Sequence, residues 1–110
     1  MHHIVKKFDN GGHFIRQCGS HGIGDGEFDH PKEIATFSGN SLLVVDSDNH
    51  RIQEFSRDGV FITKWGSYGT QPSQFIAPRG VAINKINDIH YLFDTGNKRI
   101  QRFHQDVAVC

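Results

Sequence analysis

The stretch Asp46-Ser47-Asp48-Asn49-His50-Arg51-Ile52-Gln53 returns 48 positions later as Asp94-Thr95-Gly96-Asn97-Lys98-Arg99-Ile100-Gln101. Asp, Asn, Arg, Ile and Gln hold their places in both. Upstream the recurrence continues at a spacing of 47: Phe8, Gly12, Phe14, Ile15, Gly19, Ser20, Gly22, Phe28 and Pro31 come back as Phe55, Gly59, Phe61, Ile62, Gly66, Ser67, Gly69, Phe75 and Pro78. The slip of one residue falls between Ser38 and Leu42, where a turn is expected. A fixed period of this size is the mark of a stacked repeat.

Each copy reads as four short strands. In the fuller copy these are Ile34–Phe37, Leu42–Val45, Arg51–Phe55 and Val60–Trp65; in the next they are Val81–Ile83, Ile89–Phe93 and Arg99–Phe103, and His13–Cys18 matches the fourth. Ser38-Gly39-Asn40, Asp46 to Asn49 and Asp58-Gly59 punctuate them, and Asp-Gly supplies the positive φ of a tight hairpin. No run reaches the 10–12 residues that favour a helix. Four strands per period is the plan of a β-propeller blade. The expected fold is therefore all-β, a partial propeller of about two and a third blades. Residues 1–19 hold the last two strands of one blade, 20–66 a loop and a complete blade, and 67–110 a loop and three to four strands of another, with a fourth strand begun by Val107-Ala108-Val109-Cys110.

Composition narrows the class. The 110 residues carry 12 Lys+Arg and 12 Asp+Glu, so no net charge points to nucleic acid. No apolar run approaches the roughly 18 residues of a membrane span, so no membrane partner is expected. Cys18 and Cys110 do not make a disulfide framework, so the cytoplasm is the expected location.

Asp46-x-x-Asn49-x-Arg51-Ile52 and Asp94-x-x-Asn97-x-Arg99-Ile100, with the Gly-rich segments running into Phe28-x-x-Pro31 and Phe75-x-x-Pro78, resemble the NHL repeat. The wording is closest to the NHL domains of tripartite-motif proteins. The resemblance implies a six-bladed propeller that binds RNA or protein, often in a chain with ubiquitin-ligase activity. Six such blades need roughly 280 residues, so this chain reads as a piece of a longer propeller, as a self-assembling one, or as a degraded gene product that folds poorly. Two cysteines cannot build the zinc sites of a RING or B-box, so ligase activity does not carry over. Glu33 stands where the resemblance expects the glycine that Gly80 retains.

Asp46, Asn49, Arg51, Asp94, Asn97 and Arg99 are expected to be structural. The short Asp and Asn side chains suit bonds to nearby turn amides, and Arg51 can fork onto Asp46 or a carbonyl. Phe28 and Phe75 are expected to wedge between blades. Phe61 and Trp65 share a strand face by parity and are expected to pack together against a neighbour. The loop face is the candidate binding surface. There Lys32 and Arg79 follow the two prolines, His21 and Tyr68 hold matching places, and His30 lies beside them. Basic and planar groups together suit single-stranded or hairpin RNA, or a protein. Eight histidines show no His-Glu-x-x-His spacing and there is no Cys-x-x-Cys, so no metal or other cofactor is expected. No nucleophile–base constellation is placed, so the expectation is a non-catalytic binding module. The alternative is a piece of a propeller enzyme, a metal-dependent lyase or hydrolase.

Overall fold

The computed structural model describes residues 3–8, 11–37, 41–84 and 89–104. The expected turn at Ser38–Asn40 and the expected strand at Val107–Cys110 lie outside them. Among the described residues there is no α-helix; two single 3-10 turns interrupt nine strands, all paired antiparallel.

Strands β1 (Val5–Phe8) and β2 (Phe14–Cys18) form a two-stranded sheet. A four-stranded meander follows: β3 (Pro31–Phe37), β4 (Ser41–Asp46), β5 (Arg51–Ser56) and β6 (Phe61–Trp65). The third sheet contains β7 (Gly80–Asn84), β8 (Ile89–Asp94) and β9 (Arg99–His104). Pro31 opens β3 on a sheet edge, where its missing N–H costs no ladder bond. The Asp58-Gly59 hairpin forms as its residues require: Gly59 takes φ +87°, and Ser56 N–H donates to the Val60 carbonyl at 2.8 Å.

Alternation along the strands gives the middle sheet two apolar faces. On one, Leu43, Val45, Ile52 and Trp65 meet Phe75, Val81, Leu92 and Phe103 of the third sheet. On the other, Val44 and Phe55, with Leu42 and Phe61, meet Phe28 and Val5. Phe28 and Phe75 are completely buried in these two seams. Each lies edge-on to a strand phenylalanine, Phe28 to Phe55 at 5.6 Å and Phe75 to Phe103 at 6.0 Å. Burying one such ring contributes about 1.5–3 kcal/mol.

Phe61 and Trp65 do not share a face. A bulge between Glu54 and Phe55 sets Phe61 opposite Phe55, while Trp65 stays opposite Ile52. The extra residue reverses the alternation. Phe61 therefore packs on Phe55 at 5.9 Å in one seam, and Trp65 on Phe103 at 6.3 Å in the other.

Strand β3 runs beside β7. Gly80 keeps that approach open, because a Cβ there would meet Glu33 Oε1 and the Phe93 ring. Glu33 fills the space and accepts a bond from Val81 N–H at 3.3 Å. The two positions that differ between copies thus fit each other across the sheet junction.

Candidate functional site: the loop face

Two long loops lie over the ends of the strands, residues 19–30 and 66–79, and the same bonds hold both. Phe28 N–H donates to the Ser20 carbonyl at 2.7 Å and Phe75 N–H to that of Ser67 at 2.8 Å. Gly22 and Gly69 N–H return the bond to Phe28 and Phe75 at 3.0 and 3.2 Å. Beneath each loop sits a 3-10 turn, Ser47–Asn49 or Thr95–Asn97, closed by a left-handed residue, His50 or Lys98.

Asp46 and Asn49 do not cap their own turn, as expected of short polar side chains, but reach back to the loop before it. Asp46 Oδ1 accepts from Asp29 N–H at 2.7 Å, and Asn49 Nδ2 donates to the Gly22 carbonyl at 2.8 Å. No side-chain bond caps the turn itself. The loop crosses directly above the strand ends and offers amides and carbonyls that no ladder uses.

Arg51 spends its donors the same way. Nε donates to Asp46 Oδ2 at 2.7 Å, Nη1 to the Ile23 carbonyl at 2.8 Å, and Nη2 to the Gly24 and Glu27 carbonyls at 2.9 and 2.8 Å. Gln53 completes the set, donating to the Glu27 carbonyl at 2.6 Å and accepting from Gly26 N–H at 2.9 Å. Its recurrence as Gln101 was visible in the repeat, but its role was not. The second loop repeats the pattern. Asp94 accepts from Ile76 N–H at 2.9 Å, Asn97 donates to Gly69 at 2.9 Å, Arg99 to Thr70, Gln71 and Gln74, and Gln101 to Gln74 at 2.8 Å.

Residues 28–55 match the family model of the NHL repeat. The match runs from the wedge Phe28 through Asp46, Asn49 and Arg51 to Phe55, so it contains the residues that lock the loop. A comparison with curated proteins found no match to the chain. Phe75 to Phe103 repeats the buried phenylalanine, the 3-10 turn and the Asp, Asn, Arg and Gln bonds of the matched segment.

Burial alone would raise the pKa of Asp94. Bonds from Asn97, the Ile76 amide, Arg99 and Gln101 outweigh it and hold the carboxyl below its ordinary value. The buried acids of the two turns are thus fully engaged as acceptors.

What this bonded frame leaves outward is the variable set. Lys32 and Arg79 are exposed, Lys32 beside an open groove bordered by Ile4, Val5, Pro31 and Val44. Tyr68 is exposed in the second loop with its ring edge-on to His50 at 4.9 Å. Ile23, which the sequence reading did not single out, projects from the first loop with 79 % of its surface in solvent. His21 and His30 are half-exposed or more and stand together, with His3 between them: ring centroids lie 4.3 Å from His3 to His21 and 4.7 Å from His3 to His30. Asp29 sits among the three. Its Oδ1 is 2.7 Å from His30 Nδ1, 3.6 Å from His21 Nε2 and 4.0 Å from His3 Nδ1. Asp48 Oδ2 reaches His30 Nδ1 at 2.9 Å. No spacing rule finds this group, because its members come from the lead-in to β1, one loop and one turn. No helix among the described residues is long and apolar enough to cross a membrane.

Proposed function

We propose that the chain is part of an NHL-type six-bladed β-propeller, about two and a third blades of it, and serves as a non-catalytic binding module whose loop face engages a protein. The observation that carries this reading is the complete inward use of Arg51. Its guanidinium bonds go to Asp46 and to carbonyls of residues 23, 24 and 27, so the loop is fixed before any partner arrives. A preorganised loop loses little entropy on binding. Residues that differ between the copies are displayed on that rigid frame.

A protein partner is favoured over RNA by the chemistry of the display. Ile23 and Tyr68 are 79 % and 67 % exposed, and apolar and aromatic anchors of this kind carry protein interfaces. Charges of both signs alternate around them. Lys64 is paired with Asp25 at 2.6 Å, and Asp29 and Asp48 stand beside His30 at 2.7 and 2.9 Å. RNA affinity rests on cations left to neutralise phosphates. The saturation of Asp46 and Asp94 supports binding over acid–base catalysis. The likeness of the turn wording to tripartite-motif NHL domains supports the same class of role.

The outer face of β7–β9 exposes Phe93 and Ile100, which supports its being covered by a further blade or a second copy. The test of the main reading is a photo-crosslinking residue at Tyr68 in cells that make the protein. Protease-sensitive, nuclease-resistant adducts are expected. Adducts that nuclease removes would assign the face to RNA instead.

A further inference from the structure

The fold gathers five matching positions of the two copies side by side, and at four of them the residues differ. In the second copy they are His50, Tyr68, Ile76, Ala77 and Gly96; in the first they are His3, His21, Asp29, His30 and Asp48. The backbone arrangement is the same. His50 Nδ1 accepts from Ala77 N–H at 2.9 Å, and His3 Nδ1 accepts from His30 N–H at 3.2 Å. His50 packs on Tyr68 as His3 packs on His21. Only the chemistry has changed: a tyrosine, an isoleucine, an alanine and a glycine are replaced by two imidazoles and two carboxylates.

We propose that His3, His21 and Asp29 bind a divalent transition-metal ion of the Zn2+ class. One ligand atom from each already lies within 4.8 Å of the other two. A tetrahedral ion with bonds of about 2.0–2.2 Å holds its ligand atoms roughly 3.3 Å apart. His21 Nε2 and Asp29 Oδ1 stand at 3.6 Å, close to that separation. His21 is largely exposed and free to close the rest of the distance. His3 enters through Nδ1, the atom nearest Asp29, and gives up the long 3.2 Å bond from the His30 amide. Water or a donor from a bound partner takes the fourth place.

The support around these ligands is already in position. Asp29 is clamped through its backbone, its N–H on Asp46 Oδ1 at 2.7 Å and its carbonyl under Asp48 N–H at 3.0 Å. His30 bonds both Asp29 and Asp48 and orients the carboxylate from outside. Two acidic side chains offset the charge of a dication. The ion would tie the lead-in to β1 to the loop between β2 and β3, next to the exposed Ile23. This site rests on the histidine–aspartate geometry and stands whether the loop face meets a protein or RNA.

The two copies supply their own controls. Isothermal titration of the 110-residue chain with ZnCl2, in a buffer that does not bind metal, is expected to show one ion per chain. His21→Tyr and Asp29→Ile install residues that the second copy already accommodates. Each is expected to weaken binding by more than the roughly 10–100-fold that loss of an outer partner costs. Conversely, Tyr68→His with Ile76→Asp, beside the resident His50, is expected to add a second ion. Far-UV circular dichroism of the metal-free proteins checks that each is folded. If the folded wild-type chain takes up no stoichiometric Zn2+, or binds it equally well in His21→Tyr and Asp29→Ile, the site is disproved. Should either loss variant fail to fold, the added site decides: a second ion supports the geometry, and none overturns it.

Discussion

Arg51 and Asp46 form an enclosed ion pair, Nε to Oδ2 at 2.7 Å, and their counterparts Arg99 and Asp94 form a half-open one at 2.8 Å. The Arg51 side chain is 8 % exposed and that of Arg99 is 32 %, while both carboxylates are sealed. Removing one partner of a buried pair strands the other charge. Arg51→Ala is therefore expected to cost about 3–5 kcal/mol. Arg99→Ala leaves a carboxylate that water can reach, and about 1–3 kcal/mol is expected. Urea midpoints of the two variants, compared at equal m-value, check the order.

Asp94 gives the fold an acid limb. Its folded pKa is lowered against an unfolded value of about 3.9. The stability this contributes is complete above the unfolded value and drains away as pH falls through the folded one. Asp94→Asn is expected to lower the urea midpoint at pH 7, with the gap to wild type narrowing below about pH 3.9. A gap that stays constant down to pH 3 would remove Asp94 from the account.

Gly66 and Gly12 separate backbone strain from collision. Both have positive φ, +106° and +84°. A Cβ on Gly66 would strike the Phe75 ring and lie 3.1 Å from Arg51 Cα, whereas one on Gly12 meets nothing within 4 Å. Gly12→Ala is expected to cost about 1 kcal/mol of conformational strain. Gly66→Ala adds displacement of the wedge, for roughly 2–4 kcal/mol in all. Thermal melts of the two variants make the comparison.

Phe93 and Ile100 are 42 % and 61 % exposed, on the face of the third sheet that points away from the second. The isolated chain is expected to self-associate through this surface. Phe93→Lys with Ile100→Lys should shift it toward monomer in light scattering, with little change in melting temperature. A monodisperse wild-type monomer would contradict the expectation.

Much of this was legible because the repeat prints its structural residues twice. Phe28 and Phe75, or Arg51 and Arg99, hold the same register because each copy must wedge and lock its loop in the same way. Two kinds of feature stayed hidden. The bulge at Glu54–Phe55 inserts a residue without changing the hydrophobic pattern, so parity placed Phe61 and Trp65 together when the backbone separates them. The partners of Asp46, Asn49 and Gln53 lie 17 to 27 residues upstream, where local turn rules do not look. The histidine group was hidden for the opposite reason. His21 and His30 looked like variable loop positions, and only the fold brings them to His3 and Asp29.

The central claim is that successive sheets are joined by burying aromatic faces against each other. Trp65 and Phe103, 6.3 Å apart on adjoining sheets, test it most directly. A double-mutant cycle with Trp65→Leu and Phe103→Leu, read by urea unfolding, should return a coupling of about 0.5–1.5 kcal/mol. Strict additivity of the two substitutions would mean that the sheets do not meet there.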